Sequence, residues 1–157
     1  MELVSEYQAA RHSEEISRLR RVLALRALVA AGMSQRQIAE ALGISQPAVS
    51  QQLKAARGLG DVHPGVLLEA AAPVLKALAA RHGYRGLGVF GSVARGQARL
   101  DSDIDLLVEA PEGTSTFGFL TFKALLEQVL GRDIDLVERG GLKPGIDDDI
   151  SREAVSL

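Results

Sequence analysis

The chain has 157 residues, with 18 Lys and Arg against 20 Asp and Glu, and no cysteine. That length holds one domain or two small ones, neither with a large core, and the composition is that of a soluble globular protein. The missing cysteines exclude disulfides, thiolate catalysis and cysteine zinc sites, and three scattered histidines leave little for a histidine metal centre.

The longest apolar-looking run, Val22 to Ala31, is interrupted by Arg26 and is far short of a membrane span, and no signal peptide precedes it. The expectation is a cytoplasmic protein with no membrane partner. Charge is split unevenly along the chain. Met1 to Gly60 carries eight Lys and Arg against five Asp and Glu, a net +3, whereas Asp61 to Leu157 carries ten against fifteen, a net −5. A mildly basic head can approach nucleic acid, and an acidic body attracts cations.

In chain order, Ile16, Leu19, Val22, Leu23, Leu25, Leu28 and Val29 recur at helical spacing, which predicts an amphipathic helix from about Ser13 to Ala31. Gly32 ends it. Ser34 followed by Gln37 is a capping-box pattern ahead of Ile38, Ala39 and Leu42, and Gly43 supplies a turn. Ser45 caps a third helix with Pro47 in its first turn, and Val49 and Leu53 form its inner stripe. A helix, a glycine turn and a second helix, with small Ala39 at the crossing, form a helix-turn-helix pattern. The same pattern also describes a plain three-helix bundle with no ligand. MSQRQIAEALGISQPAVSQQLK resembles the DNA-binding helix-turn-helix of bacterial regulators. Its outward face would present Gln46, Ser50, Gln51 and Lys54, side chains able to read base edges or hold phosphate, with Arg36 and Arg57 near the DNA backbone. A net charge of +3 predicts modest affinity for duplex DNA from one copy, which favours a homodimer on a two-fold operator.

The Gly-rich break from Arg57 to Gly65 marks a domain boundary, giving a head of residues 1–60 and a body of residues 61–157. Val66 to His82 reads as an amphipathic helix in which Pro73 introduces a bend or a new start. The apolar run Leu87 to Phe90, ended by Gly91, reads as a buried strand entering a tight turn made by Gly91 and Ser92, with a short helix near Val93 to Arg95. Glycine there lets the backbone approach a ligand, and Ser92 with the amides after it can donate to phosphate oxygens.

A second strand starts acidic and turns apolar, Asp101 to Val108. Residues two apart in an extended chain share a face, so Asp103 and Asp105 project together, with about 6.6 Å of rise between them. Two ionised carboxylates on one half-buried face repel and lose hydration, at a cost on the order of several kcal/mol unless a cation compensates. Hard oxygen ligands at a phosphate-binding turn suit Mg²⁺. An isolated D-x-D can also simply end a strand in solvent.

Pro111 to Thr116 reads as a polar loop, and Phe117 to Leu130 as a helix packed on the sheet. Arg132 to Val137 reads as a third strand whose alternation sets Asp133 and Asp135 opposite Ile134 and Leu136. A last helix starts near Asp147. Neighbouring strands lie about 4.8 Å apart, so a carboxylate of the third strand can join the other two; both Asp133 and Asp135 qualify.

Gly91-Ser92, ten intervening residues and Asp103-x-Asp105 match the signature of polymerase-beta-like nucleotidyltransferases. FGSVARGQARLDSDIDLLVE, with GRDIDLVERGGLKPGI and the tail REAVSL, resembles more closely the minimal nucleotidyltransferases, the antitoxin partners of HEPN toxins. The resemblance implies an α+β chain: an all-α helix-turn-helix head followed by a short mixed sheet flanked by helices. By resemblance, Asp103, Asp105 and Asp135 hold Mg²⁺ and carry catalysis, Gly91 and Ser92 hold the phosphates of ATP, and Arg95 neutralises phosphate charge or supports the loop. Lys143 either approaches the nucleotide or is a solvated surface lysine. The family implies transfer of AMP to a tyrosine hydroxyl of a HEPN-type toxin, with DNA binding for autoregulation, as a homodimer or a hetero-oligomer with the toxin. Almost no chain remains beyond this core to cradle an acceptor, which also favours a macromolecular one. The other reading is a DNA-binding regulator whose nucleotidyltransferase fold only senses nucleotide or neutralises a toxin by binding.

Overall fold

A computed structural model describes residues 1–55 and 58–157. The expected backbone contact of Arg57 lies outside the described residues. Helix α1 (Glu2–Ala30) is far longer than the apolar periodicity suggests, because its first half buries no side chain: residues 1–15 are all exposed, and burial begins at Ile16. Helix α2 (Gln35–Leu42) is opened by the expected capping box, in which the Gln37 amide donates to Ser34 Oγ at 3.1 Å and the Ser34 amide donates to Gln37 Oε1 at 2.8 Å. Gly43 closes it in the left-handed conformation, with φ of 68°. Helix α3 (Gln46–Ala55) is capped by Ser45, whose Oγ accepts from the Ala48 amide at 3.2 Å. Leu25, Ile38, Ala39 and Val49 form the small core of this head, lined by Leu28, Met33 and Leu53.

Helix α4 (Pro64–Arg81) runs through Pro73 without ending there. A proline removes the N–H that its i−4 carbonyl would accept and crowds that carbonyl, so the chain needs other donors. Arg20 of α1 supplies them: its guanidinium donates to Glu69 O at 3.3 Å and to Ala70 O at 3.0 Å. The helix therefore continues past Pro73, where the sequence suggests a bend or a new start, with donors supplied from outside it.

Strand β1 (Arg85–Phe90) leads into the four-residue helix α5 (Gly91–Ala94), and β2 (Ile104–Glu109) returns antiparallel to β1. Helix α6 (Thr116–Leu130) crosses over to β3 (Ile134–Glu138), parallel to β2. Helix α7 (Asp148–Glu153) is followed by a two-residue strand β4 (Val155–Ser156), which adds antiparallel to the free edge of β1. The sheet order is β3-β2-β1-β4, a mixed sheet with helices packed against it, as the α+β reading requires. Strand β4 has no counterpart among the elements expected from the sequence.

One large apolar cluster joins Leu67, Leu68, Ala71 and Leu75 of α4, the inner faces of β1 to β3, and Phe122, Leu126, Val129 and Leu130 of α6. Ile16, Leu19 and Leu23 of α1 belong to this same cluster. Tyr84 stacks on Phe122 at 3.8 Å between ring centroids and closes the corner between α4 and α6. Of the apolar residues on α6, Phe117 and Leu120 face outward, at 82% and 53% exposure, and so lie outside the core. No helix among the described residues is long and apolar enough to cross a membrane.

Candidate active site

Strand β1 is buried from Leu87 through Val89, and the chain turns sharply where Gly91 takes φ of +71°. The turn is closed by backbone bonds, from the Arg95 amide to Gly91 O at 3.1 Å and from the Gln97 amide to Ser92 O at 2.9 Å. Antiparallel register sets Phe90 opposite Asp105, which brings the Asp105 carboxylate against the Gly91 backbone. A β-carbon built on Gly91 would overlap Asp105 Oδ2 and stand 3.1 Å from its Cγ. Only glycine leaves room for this carboxylate, and only glycine adopts that φ without strain.

The loop that delivers Asp103 is held at two points. The Arg99 amide donates to Ser102 Oγ at 2.7 Å, and His63, ahead of α4, contacts Ala98 O through Nε2 at 2.9 Å. The Gly65 amide donates to His63 Nδ1, so Nε2 is the nitrogen that carries the proton and donates to Ala98. Asp103 lies one residue ahead of β2, and Asp105 is its second residue. On the far side of Asp105, parallel register places Asp135 directly opposite.

The three carboxylates interact electrically. Burial raises the Asp105 carboxyl above its ordinary range, repulsion from Asp135 and then Asp103 raises it further, and the Arg95 guanidinium opposes them. Of the two candidates, Asp135 on β3 is the one whose field reaches Asp105, whereas Asp133 lies just ahead of the strand. The carboxylates are coupled without closing on a point, since among the described residues no three His, Asp or Glu side chains converge to hold a metal ion. Their chemistry nonetheless fits a hard divalent cation: a cluster of oxygen donors, one of them half-buried and repelled by its neighbours, beside a turn that only glycine can form.

Arg95 directly follows α5. Its Nε donates to Gln97 Oε1 at 3.3 Å, and Nη1 donates to Glu153 Oε2 on α7 at 3.0 Å. Ser92 is half-buried within the turn, and Lys143 is exposed in the loop ahead of α7. Glu153, Gln97 and His63 escaped the sequence reading. Only the tail REAVSL carried a signal for the first of them, because a hexapeptide has too little periodicity to reveal a strand and its flanking contact.

In the head, Gln46, Gln51 and Lys54 are exposed on α3, Ser50 is half-buried, and Arg36 is exposed on α2. Gln46 Nε2 donates to Gln35 Oε1 at 2.9 Å, which ties the start of α3 to the start of α2. Arg20 and Arg26 are turned toward the body instead. Arg26 donates to Val129 O at 2.8 Å and Gln128 O at 2.6 Å, the free carbonyls at the end of α6.

Residues 73–157 match the nucleotidyltransferase domain family, and residues 15–62 match a homeodomain-like domain. Among curated proteins, the chain is 45% identical over 80 residues to the protein adenylyltransferase MntA of Thermococcus cleftensis, covering 51% of this chain and 81% of that one. A Methanocaldococcus jannaschii relative named for the same adenylyltransferase activity is 39% identical over 77 residues, covering 49% of this chain and 83% of its own. A solved structure described as a minimal nucleotidyltransferase superposes with a TM-score of 0.52 at 44% identity, over 57% of this chain and 92% of that one. The stretch that matches the nucleotidyltransferase family holds all three carboxylates and the Gly-Ser turn.

Proposed function

Since the chain belongs to the minimal nucleotidyltransferases, within the nucleotidyltransferase domain family and with a helix-turn-helix head, we propose that it transfers AMP from ATP to a hydroxyl of a partner protein. In this reading the partner is a HEPN-type toxin, the acceptor is a tyrosine, and the head binds operator DNA to regulate transcription of the pair. The observation that carries it is the juxtaposition of Gly91 with Asp105, flanked by Asp135 and Asp103.

In the proposed reaction the acceptor oxygen attacks the α-phosphorus of ATP. The bond from that phosphorus to the bridging β-oxygen breaks, pyrophosphate leaves, and the acceptor proton passes to Asp135. Gly91 and Ser92 hold the β- and γ-phosphates, and Arg95 offsets their charge. Asp103, Asp105 and Asp135 would hold Mg²⁺, which neutralises triphosphate charge and makes the acceptor hydroxyl easier to ionise. Asp105 orients the cluster, because it stands between the other two carboxylates and against the turn.

The test uses the full chain, ATP, Mg²⁺ and the product of the neighbouring gene. Mass spectrometry of that partner should show an added AMP with the wild type and none with Asp105→Asn. If the wild type neutralises the partner by forming a stable complex with no mass shift, the enzyme reading fails and the binding reading replaces it.

A further inference from the structure

We propose that Glu153 is a positioning residue of the nucleotide site, and that it acts by holding the Arg95 guanidinium beside the Gly91-Ser92 turn. The inference deepens the proposed function and rests on it for the identity of the nucleotide.

Glu153 is the last residue of α7, where the helix dipole disfavours a negative charge. Its carboxylate is compensated by Arg95, 58 positions earlier, at 3.0 Å. Pairs this exposed contribute little to stability, so a purely structural role gives a weak reason for the arrangement. Three further contacts fix where the carboxylate stands. The Ala154 amide donates to Ile150 O at 3.0 Å, β4 pairs Val155 with Val89 and Ser156 with Gly88, and the Leu157 amide donates to Leu87 O at 3.1 Å. Gly88 admits the tail because its missing β-carbon would stand only 3.0 Å from Val155 O. The segment carrying Glu153 is thus bolted to β1, the strand that ends in Gly91.

Arg95 in turn is held from two sides, by Gln97 and Glu153, while its charge still reaches Asp105. A guanidinium has five N–H donors, and these two bonds use two of them. Among the described residues the remaining donors make no bond, which leaves them to meet phosphate oxygens at the turn, and a guanidinium fixed in advance loses less entropy when it does so.

The test compares wild type, Glu153→Gln, Arg95→Ala and the double variant, all full-length, by calorimetric titration with ATP and Mg²⁺ and by thermal unfolding. Glu153→Gln should weaken ATP binding, and raise KM for ATP, by about tenfold with kcat little changed. Its melting midpoint should stay within roughly 1 °C of the wild type. In the Arg95→Ala background, Glu153→Gln should have no further effect on ATP binding. Glu153→Asp, which keeps the charge on a shorter stem, should lie between wild type and Glu153→Gln. Unchanged ATP affinity in Glu153→Gln, a loss of affinity that tracks a lowered midpoint, or additive losses in the double variant would each overturn the assignment. ATP binding without AMP transfer by the wild type would defeat the adenylyltransferase reading but leave Glu153 testable by affinity, whereas no ATP binding by the wild type would defeat both.

Discussion

The Asp105 carboxylate occupies the space that a side chain on Gly91 would fill. No side chain can be added at Gly91 without displacing Asp105, which the pairing of Phe90 with Asp105 holds against the turn. Gly91→Ala should therefore do two things at once. A β-carbon at φ of +71° strains the backbone and displaces Asp105, for a loss of about 1 to 3 kcal/mol in stability. ATP affinity should fall with it, and Gly96→Ala provides the control: that glycine also has positive φ, but nothing lies within 4 Å of its built β-carbon. Equal ATP affinity in both alanine variants would remove the steric argument.

A second prediction follows from the raised Asp105 carboxyl, whose main cause is burial, with Asp135 and Asp103 adding to it. The folded protein keeps this proton to higher pH than the unfolded chain does. Stability therefore falls as pH rises from the ordinary aspartate range through the folded value, and the penalty is complete above it. In EDTA at pH 7, Asp105→Asn should melt higher than the wild type by about 1 to 3 °C, a modest effect because the group is only half-buried. The difference should shrink as pH drops below the ordinary aspartate range. Melting curves at several pH values decide it: a gain that does not depend on pH would mean that charge is not the cause.

A divalent cation should relieve the same repulsion. Mg²⁺ is expected to raise the wild-type midpoint, and to raise that of Asp103→Asn less, because one oxygen donor of the cluster is gone. Identical responses to Mg²⁺ in the two proteins would take the carboxylate cluster out of the account of metal binding.

These sites were legible because their signals are local. Gly91-Ser92 and Asp103-x-Asp105 sit within one stretch, the alternation around Asp135 showed which side of β3 it faces, and the Ser34 and Gln37 pair marked the start of α2 within four residues. What was missed depends on pairs far apart in the chain. Arg20 repairs the helix around Pro73 from 49 and 50 positions away, and Glu153 reaches Arg95 across 58. No periodicity encodes such a partner. The first turns of α1 were missed for the opposite reason: with no face buried, Glu2 to Glu15 need no apolar stripe, and helix propensity alone is a weak signal.

Orientation of the arginines bears on DNA binding. Arg20 and Arg26 hold backbone carbonyls of the body, so the net +3 of the head overstates the charge open to DNA. Arg36 and Lys54 remain exposed on α2 and α3. Full-length protein should bind promoter DNA with a shallow salt dependence per copy, and Lys54→Ala should lower the slope by about 1. Gln51→Ala should lose about 1 to 3 kcal/mol on the preferred sequence and much less on random duplex. Fluorescence anisotropy across a salt series measures both, and wild-type affinity that is the same for promoter and random DNA would end the regulator reading.

The last prediction concerns the long first helix. Leu25 of α1 lies in the core of the head, while Ile16, Leu19 and Leu23 lie in the core of the body, so a single rigid element carries side chains into both. Arg20 and Arg26 fasten that helix to α4 and to the end of α6. Next to the Arg26 contact, Arg132 donates to Leu59 O at 3.0 Å, Gly60 O at 2.9 Å and Val62 O at 2.8 Å, which pins the segment entering α4. A chain built this way should unfold as one cooperative unit even though its two halves match different families. Leu23 is fully buried, so Leu23→Ala should cost about 2 to 5 kcal/mol. The loss should appear as one shifted transition, by far-ultraviolet circular dichroism for the helices of both halves and by near-ultraviolet signals of Tyr84 for the body. Two separate transitions, with the body unmoved by Leu23→Ala, would mean that α1 belongs to the head alone and that the contacts with α4 and α6 contribute nothing to the stability of the body.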